Sequence, residues 1–217
     1  MKDFKSASLA DQVFEKLEND IICGVYSRGE LLTELKLVEQ LGVSRTPIRE
    51  ALRRLEQERL IADTGKGSLV LGITEEDLLD IMNIRQSVEG LATYYATINM
   101  TPEGLEELRH IIDLQEFYLE KNDPEHLRQI DDRFHNLISE LSKRTVIKDT
   151  LLPLHRKTQR YRKASIEKPG RIACVVKEHR EIFDAIVSGD AAKVQALTSK
   201  HIENAKKNML EGMSNHG

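Results

Sequence analysis

Residues 44–59, Ser-Arg-Thr-Pro-Ile-Arg-Glu-Ala-Leu-Arg-Arg-Leu-Glu-Gln-Glu-Arg, constrain this chain more than any other stretch. Ile48, Ala51, Leu52 and Leu55 recur at helical spacing and form one apolar stripe. Arg45, Arg49 and Arg53 recur every four residues, so they form a row on a different face. Ser44 stands at the N-cap position and Pro47 in the first turn, where its missing N–H costs nothing. Such a helix packs by one face and shows arginine from another.

The flanking sequence decides what that helix packs against. A helix is predicted from about Leu9 to Cys23, with Val13, Phe14, Leu17, Ile21 and Ile22 on one face and Gly24 ending it. A second runs from about Glu34 to Leu41 and stops at Gly42. After the arginine helix, two short apolar runs flank Thr64-Gly65-Lys66-Gly67, the signature of a β-hairpin whose glycines supply positive φ. Three helices and a hairpin make a winged helix-turn-helix. Arginine on its outward face suits the major groove, where a guanidinium pairs with guanine O6 and N7. Lys66 at the hairpin tip is placed to meet a phosphate or the minor groove. The competing reading is a solvated helix whose arginines pair with Glu50, Glu56 and Glu58. Residues 1–72 carry 11 Lys and Arg against 12 Asp and Glu, a net of −1, so basicity adds nothing. The case rests on placement.

Beyond Gly72 the pattern is helical throughout. Thr74-Glu75-Glu76-Asp77 opens a long helix to about Ile98. Thr101-Pro102 opens one to about Lys121, and Asp123-Pro124 one to about Leu141. Another spans about Val146 to Ala164, before Lys168-Pro169-Gly170 breaks the chain. The last two run from Ile172 to Val187 and from Gly189-Asp190 to about Leu210. The fold class is therefore mainly α: a winged helix-turn-helix in residues 1–73, then an all-α bundle of about six helices in 74–217. Tryptophan is absent and aromatics are 5%, which suits a core of Leu, Ile, Val and Ala. Cys23 and Cys174 show no ligand spacing and are expected as buried thiols in a reducing cytoplasm. The N-terminus has no long apolar run, and no stretch approaches ~18 apolar residues, so a cytoplasmic chain with no membrane partner is expected.

The histidines carry the second signal. Asp131 and His135, four apart, stack at the edge of the stripe Leu127, Ile130, Phe134, Leu137, Ile138 and Leu141. His179 falls in the middle of the stripe Ile172, Val175, Val176, Ile182, Phe183 and Ile186. His201 falls among Val194, Leu197, Thr198 and Ala205. Burying polar groups costs several kcal/mol unless they are paired. A shared divalent metal would satisfy all four through imidazole nitrogens and a carboxylate oxygen. The alternative is that each histidine finds its own hydrogen bond. His110, His126 and His155 show no comparable pattern and are expected at the surface, with His216 in a terminal tail.

The run LGVSRTPIREALRRLEQERLI followed by TGKG resembles the GntR family of bacterial transcription regulators over residues 9–72. The resemblance implies that Arg45 and Arg49 contact DNA, with Thr46 near the backbone and Gly67 in the wing. One departure concerns the second helix, where members often carry an early Arg and this chain has Leu35-Lys36. Asp-x-x-x-His, then Glu-His-Arg-x-Ile-x-x-Ala-Ile, then a His 22 residues on, resembles the FCD effector domain of the FadR-type subfamily over about 74–212. That resemblance implies a metal held by Asp131, His135, His179 and His201, commonly zinc or nickel, and a small carboxylate effector. It places Arg85 toward the pocket; the other reading of Arg85 is a surface ion pair with Glu89. A second departure is Lys143-Arg144, where the family often has Gly-Asn in a turn expected near the pocket rim. The implied protein is a homodimer on a pseudo-palindromic double-stranded operator, with repression released by effector. Three other readings stay open: a purely structural metal, a metal-dependent enzyme joined to a DNA-binding domain, and an adaptor that never binds DNA.

Overall fold

The computed structural model describes residues 8–166 and 170–214. Residues 1–7, Lys168 and Pro169 of the expected chain break, and His216 lie outside the described residues. The chain divides between Thr74 and Glu75 into two compact units.

In the first unit, α1 (Leu9–Ile22) opens with a capping box. Ser8 Oγ accepts from the Asp11 N–H at 3.1 Å, and the Asp11 carboxylate accepts from the Ser8 N–H at 3.0 Å. Helix α2 (Glu34–Leu41) ends at Gly42, whose φ of 65° makes the turn into α3 (Arg45–Gln57). Val13, Phe14, Leu17, Leu37, Ile48, Ala51 and Leu55 join one buried cluster. Arg54 clamps α3 to α1: its Nη1 donates to Asp11 Oδ1 at 2.6 Å, and its guanidinium lies 3.9 Å from the centre of the Phe14 ring. Ser44 occupies the α3 N-cap but makes no side-chain cap bond. The third helical residue is Pro47, which has no N–H to offer it.

The hairpin is β2 (Ile61–Asp63) and β3 (Ser68–Val70). A third strand that periodicity did not reveal, β1 (Leu31–Leu32), pairs antiparallel with β3, giving the order β1-β3-β2. Two residues are too few to show an alternation. Gly67 sits where the hairpin closes on β1. Its φ is 151°, and a Cβ there would lie 2.7 Å from the Leu32 carbonyl oxygen. Glycine is thus required by both backbone and space.

The second unit comprises, among the described residues, α4 (Glu75–Ile98), α5 (Pro102–Glu120), α6 (Pro124–Leu141), α7 (Thr145–Ile166), α8 (Arg171–Val187) and α9 (Ala191–Ser214). Thr101 and Asp123 cap α5 and α6, each followed by proline at the first helical position. Ala92, Leu108, Ile112, Phe134, Leu151 and Phe183 belong to its buried cluster. Helix α4 packs along α9, and Gly90 allows the approach: a Cβ there would lie 2.9 Å from Ser199 Oγ. Both cysteines are exposed, against expectation. Cys23 is the C-cap of α1, beyond its apolar stripe, and Cys174 points away from the α8 stripe that buries Val175 and Val176. No described helix is long and apolar enough to cross a membrane.

Candidate nucleic-acid interface and buried histidine site

Helix α3 buries Pro47, Ile48, Ala51, Leu52 and Leu55 and leaves Arg45, Thr46, Arg49 and Arg53 exposed. An open cleft of about 420 Å³ runs between α3 and the hairpin. Arg49, Arg53, Lys66 and Gly67 line it together with Thr33 and Glu34. Arg45 and Thr46 lie on the exposed first turn of the same helix rather than in the cleft lining. The hairpin tip is tied by Thr64, whose N–H and Oγ1 both donate to the Gly67 carbonyl, at 3.0 and 2.7 Å. Lys66 is exposed beside it. Arg49 does have an acidic partner, but it is Glu34 of α2 rather than a glutamate of its own helix. Arg49 Nε donates to the two Glu34 oxygens at 2.8 and 2.9 Å. Arg49 remains 64% exposed, so this surface pair holds a direction without burying the charge.

In the second unit the four residues singled out by helical phase come from α6, α8 and α9. Asp131, His135, His179 and His201 are all buried. Each histidine uses Nδ1 on an oxygen of the protein. His135 meets Glu89 of α4 at 2.9 Å, His179 meets Gln115 of α5 at 3.0 Å, and His201 meets Glu178 of α8 at 2.7 Å. An ionised carboxylate only accepts, so His135 and His201 carry their proton on Nδ1, and the Gln115 oxygen asks the same of His179. Nε2 is then the nitrogen each ring has left for a further partner. The Nε2 atoms of His179 and His201 face each other at 3.2 Å, and the three rings offer donor atoms within 4.8 Å of one another. Two imidazole nitrogens at that distance in a dry interior share either a proton or a bound cation. The donor set therefore fits a divalent metal, with the outer carboxylates and amide orienting the rings.

Asp131 stands beside this set rather than within it. Its Oδ1 lies 3.8 Å from His179 Nε2 and 4.0 Å from His135 Nε2, and its Oδ2 lies 3.3 Å from Arg162 Nη1. Oδ2 is buried and makes no hydrogen bond. Arg162, on α7, also pairs with Asp132.

Arg85 is buried. It pairs with Glu89, Nε to Oε1 at 2.6 Å, but the pair is buried rather than at the surface. Its Nη1 donates to Thr158 Oγ1 at 2.8 Å. Arg85 also lines a cavity with Asp131, His135, Arg162, Arg171 and His201. That cavity is about 20 Å³, room for a water molecule but not for a carboxylate effector.

His155 corrects a sequence expectation. It is buried, not at the surface; its Nε2 lies 3.0 Å from Glu89 Oε1 and its Nδ1 3.4 Å from Asn136 Oδ1. The signal was present but polar: Leu151, His155, Thr158, Arg162 and Ser165 recur at helical spacing, and all are buried. Apart from Leu151 this face is polar, so it carries no apolar stripe. Gln115, Glu178, Arg162 and Arg171 are further members that the sequence did not single out, and Glu89, expected only as a surface partner of Arg85, is another. His126 is exposed, pairs with Asp123 and stacks on Tyr118; His110 is exposed as expected. Arg144 stacks over the Tyr95 ring at 4.1 Å, which engages the departing turn with α4.

The electrostatics follow from burial. Burial drives the His135 imidazole down to about 3 and pushes His179 well below the ordinary imidazole value, with His201 adding to the second shift. Burial also lowers His155. Burial works against ionisation of Glu89, but the Arg85 guanidinium and the two imidazole contacts outweigh it and hold the carboxyl well below its usual range. Burial likewise opposes Glu178, and the hydrogen bonds from His201 and Arg171 bring it to about 2.

Known proteins align with both halves. Residues 9–70 match the family model of bacterial regulatory proteins of the gntR family, and residues 80–204 match that of the FCD domain. The chain is 29% identical over 211 residues to the HTH-type transcriptional regulator YdhC of Bacillus subtilis, covering 94% of each chain. It is 25% identical over 193 residues to the HTH-type transcriptional repressor RspR of Escherichia coli, covering 88% of this chain and 85% of that one. The solved structure of E. coli McbR/YncC superposes with a TM-score of 0.76 at 22% identity, over 98% of this chain and 100% of that one, and shares the fold.

The titrating groups set an acid limit. His135 falls from an unfolded value near 6.5 to about 3 when folded, so the unfolded chain binds the proton first and stability drops as pH falls through that window. Glu178, lowered from 4.5 to about 2, acts in the same direction below pH ~4.5. The denaturant midpoint of metal-free protein should therefore fall steadily from pH 7 to pH 4. A flat profile over that range, followed by chemical denaturation, would contradict the buried neutral imidazoles.

Proposed function

The chain belongs to the GntR family of bacterial regulatory proteins, with an FCD domain following the DNA-binding domain, and from that premise we propose how it regulates. It is a DNA-binding transcriptional regulator, like its relatives, and not an enzyme. In our reading, α3 enters the major groove and Arg45, Arg49 and Arg53 meet bases and phosphates there. Thr46 contacts the backbone, and Lys66 and Gly67 carry the wing to the neighbouring groove. The observation that carries this reading is the two-faced helix: its apolar side is locked into the core while its arginine side lines an open cleft.

The second unit acts as the sensor. His135, His179 and His201, with Asp131 moving in by about an ångström or two, hold a divalent ion such as zinc or nickel. The ion supplies a Lewis-acidic position for a small carboxylate, and Arg85 supplies a guanidinium on the same cavity. Because that cavity has space for a water only, effector entry has to displace side chains from it. That displacement is the differential interaction that couples effector to DNA affinity. A second reading, that the metal is purely structural, draws on the same small volume. Repression relieved by effector is the sign we adopt, in keeping with RspR, named as a repressor.

A homodimer presents two α3 helices to a pseudo-palindromic operator. Support comes from α4, where Ile84, Leu91 and Ile98 are 46%, 41% and 58% exposed and repeat every seven residues. This apolar stripe lies on the side of α4 away from its own core and is suited to self-association.

Three outcomes are expected. Arg49→Ala should lose about 1–3 kcal/mol of affinity for a duplex selected by the wild-type chain and relax preference at one base pair, measured by anisotropy at fixed salt. Unchanged binding would remove α3 as the reader. His179→Ala should weaken zinc binding, measured by calorimetry, by more than the roughly 10–100-fold typical of losing an outer-shell partner. If a panel of small carboxylates still binds that variant as it binds the zinc-loaded wild type, the metal does not hold the effector. Leu91→Glu should halve the sedimenting mass; retention of the wild-type mass would move the dimer contact elsewhere.

A further inference from the structure

Glu34 is the first residue of α2, and its acidic side chain sits favourably at a helix N-terminus. Its position also does something that helix stability does not require. Both of its oxygens grip the single Nε–H of Arg49, at 2.8 and 2.9 Å. These bonds leave the two terminal nitrogens of the guanidinium uncommitted. Those two nitrogens form the edge of the fork that can take guanine O6 and N7 together.

Contrast within the same chain gives the orientation meaning. Arg171 presents both terminal nitrogens to Glu178, at 3.0 and 3.2 Å, which occupies that edge completely. Arg180 gives Nε and Nη2 to Glu116, both at 2.7 Å, which occupies the side edge. A carboxylate that masked Arg49 from DNA would be expected in the first arrangement. Glu34 instead holds the guanidinium by its inner nitrogen. Both ends of the bridge are anchored, since Leu37 in α2 and Ile48 in α3 are fully buried. The link therefore spans the two helices of the helix-turn-helix and removes rotation from a long side chain before it meets DNA.

We propose that Glu34 is a positioning residue for sequence reading: it holds Arg49 with its terminal nitrogens outward, as a rigid fork for one guanine in each half-site. The proposal rests on the reading that α3 enters the major groove. A free arginine can swing to a phosphate or to several acceptors. A held one is restricted to a base whose two acceptors match the fork. The same carboxylate repels backbone phosphates, so it costs non-specific affinity while it sharpens specificity.

The test is selection from a randomised duplex library with the full chain as wild type, R49A, E34A and E34Q. Titrations follow on the selected duplex, on that duplex with the guanine pair changed to A·T, and on random-sequence DNA. Expected is loss of preference at the same base pair in R49A and E34A, with E34Q retaining part of it. Discrimination between the two duplexes should fall about tenfold in E34A, while its binding to random-sequence DNA is unchanged or stronger. Thermal unfolding of E34Q, which keeps one acceptor oxygen, checks that the fold is intact. The proposal is overturned if E34A keeps the full base preference, whether its affinity is unchanged or higher. It is also overturned if E34A loses preference at a different base pair from R49A, since Glu34 would then touch a base itself. Full preference retained in R49A would instead sink the underlying reading of α3, whatever Glu34 does.

Discussion

Three imidazoles buried in one helical bundle can coexist only if each is given a fixed proton and a fixed direction. Glu89, Gln115 and Glu178 do this by taking the Nδ1 side of His135, His179 and His201. With Nδ1 so engaged, the three rings keep ligand atoms within 4.8 Å of one another, a set that fits a shared cation. Glu89 is central because it serves more than one partner. It lies within 3.0 Å of Arg85, His135 and His155, so three buried side chains share one carboxylate. Arg85 and His135 are therefore coupled through Glu89, and a shift of either changes what holds the other.

The DNA-binding domain solves a different problem, which is to keep charge outside. Its net charge is slightly negative, so attraction to DNA has to come from arrangement. Arg54 points inward to Asp11 and Phe14 and fastens the helix. Arg45, Arg49 and Arg53 point outward from the same helix. Neighbouring arginines thus have opposite duties, set by about 100° of helical phase per residue. Gly67 and the short β1 strand then close the wing against the Leu32 carbonyl, leaving the cleft open beside the arginine row.

Much of this is legible in the sequence alone. Helices α2, α4 and α6 begin and end at the residues their capping signals indicated, because Thr, Asp, Pro and Gly act locally on the backbone. His179 and His201 stood out because a polar residue inside an apolar stripe is conspicuous. His155 did not, because its whole face on α7 is polar and buried. Both cysteines were expected inside, and both lie on faces that point outward. The Arg85–Glu89 pair has the i,i+4 spacing that the sequence shows, but it is buried rather than at the surface, and only packing could decide that.

Local chemistry therefore settled what depends on near neighbours: where helices start, which face turns inward, and that arginine and glutamate crowd one short stretch. The fold class and the arginine row follow from periodicity and capping alone, which act over a turn or two. What only the packed chain decided is which distant groups meet. Glu34 holding Arg49 across 15 residues, Gln115 meeting His179 across 64 and His155 meeting Glu89 across 66 are products of helix packing, and no spacing in the chain encodes them. A side chain's direction can be read from its own turn, but its partner is chosen by whichever helix arrives opposite.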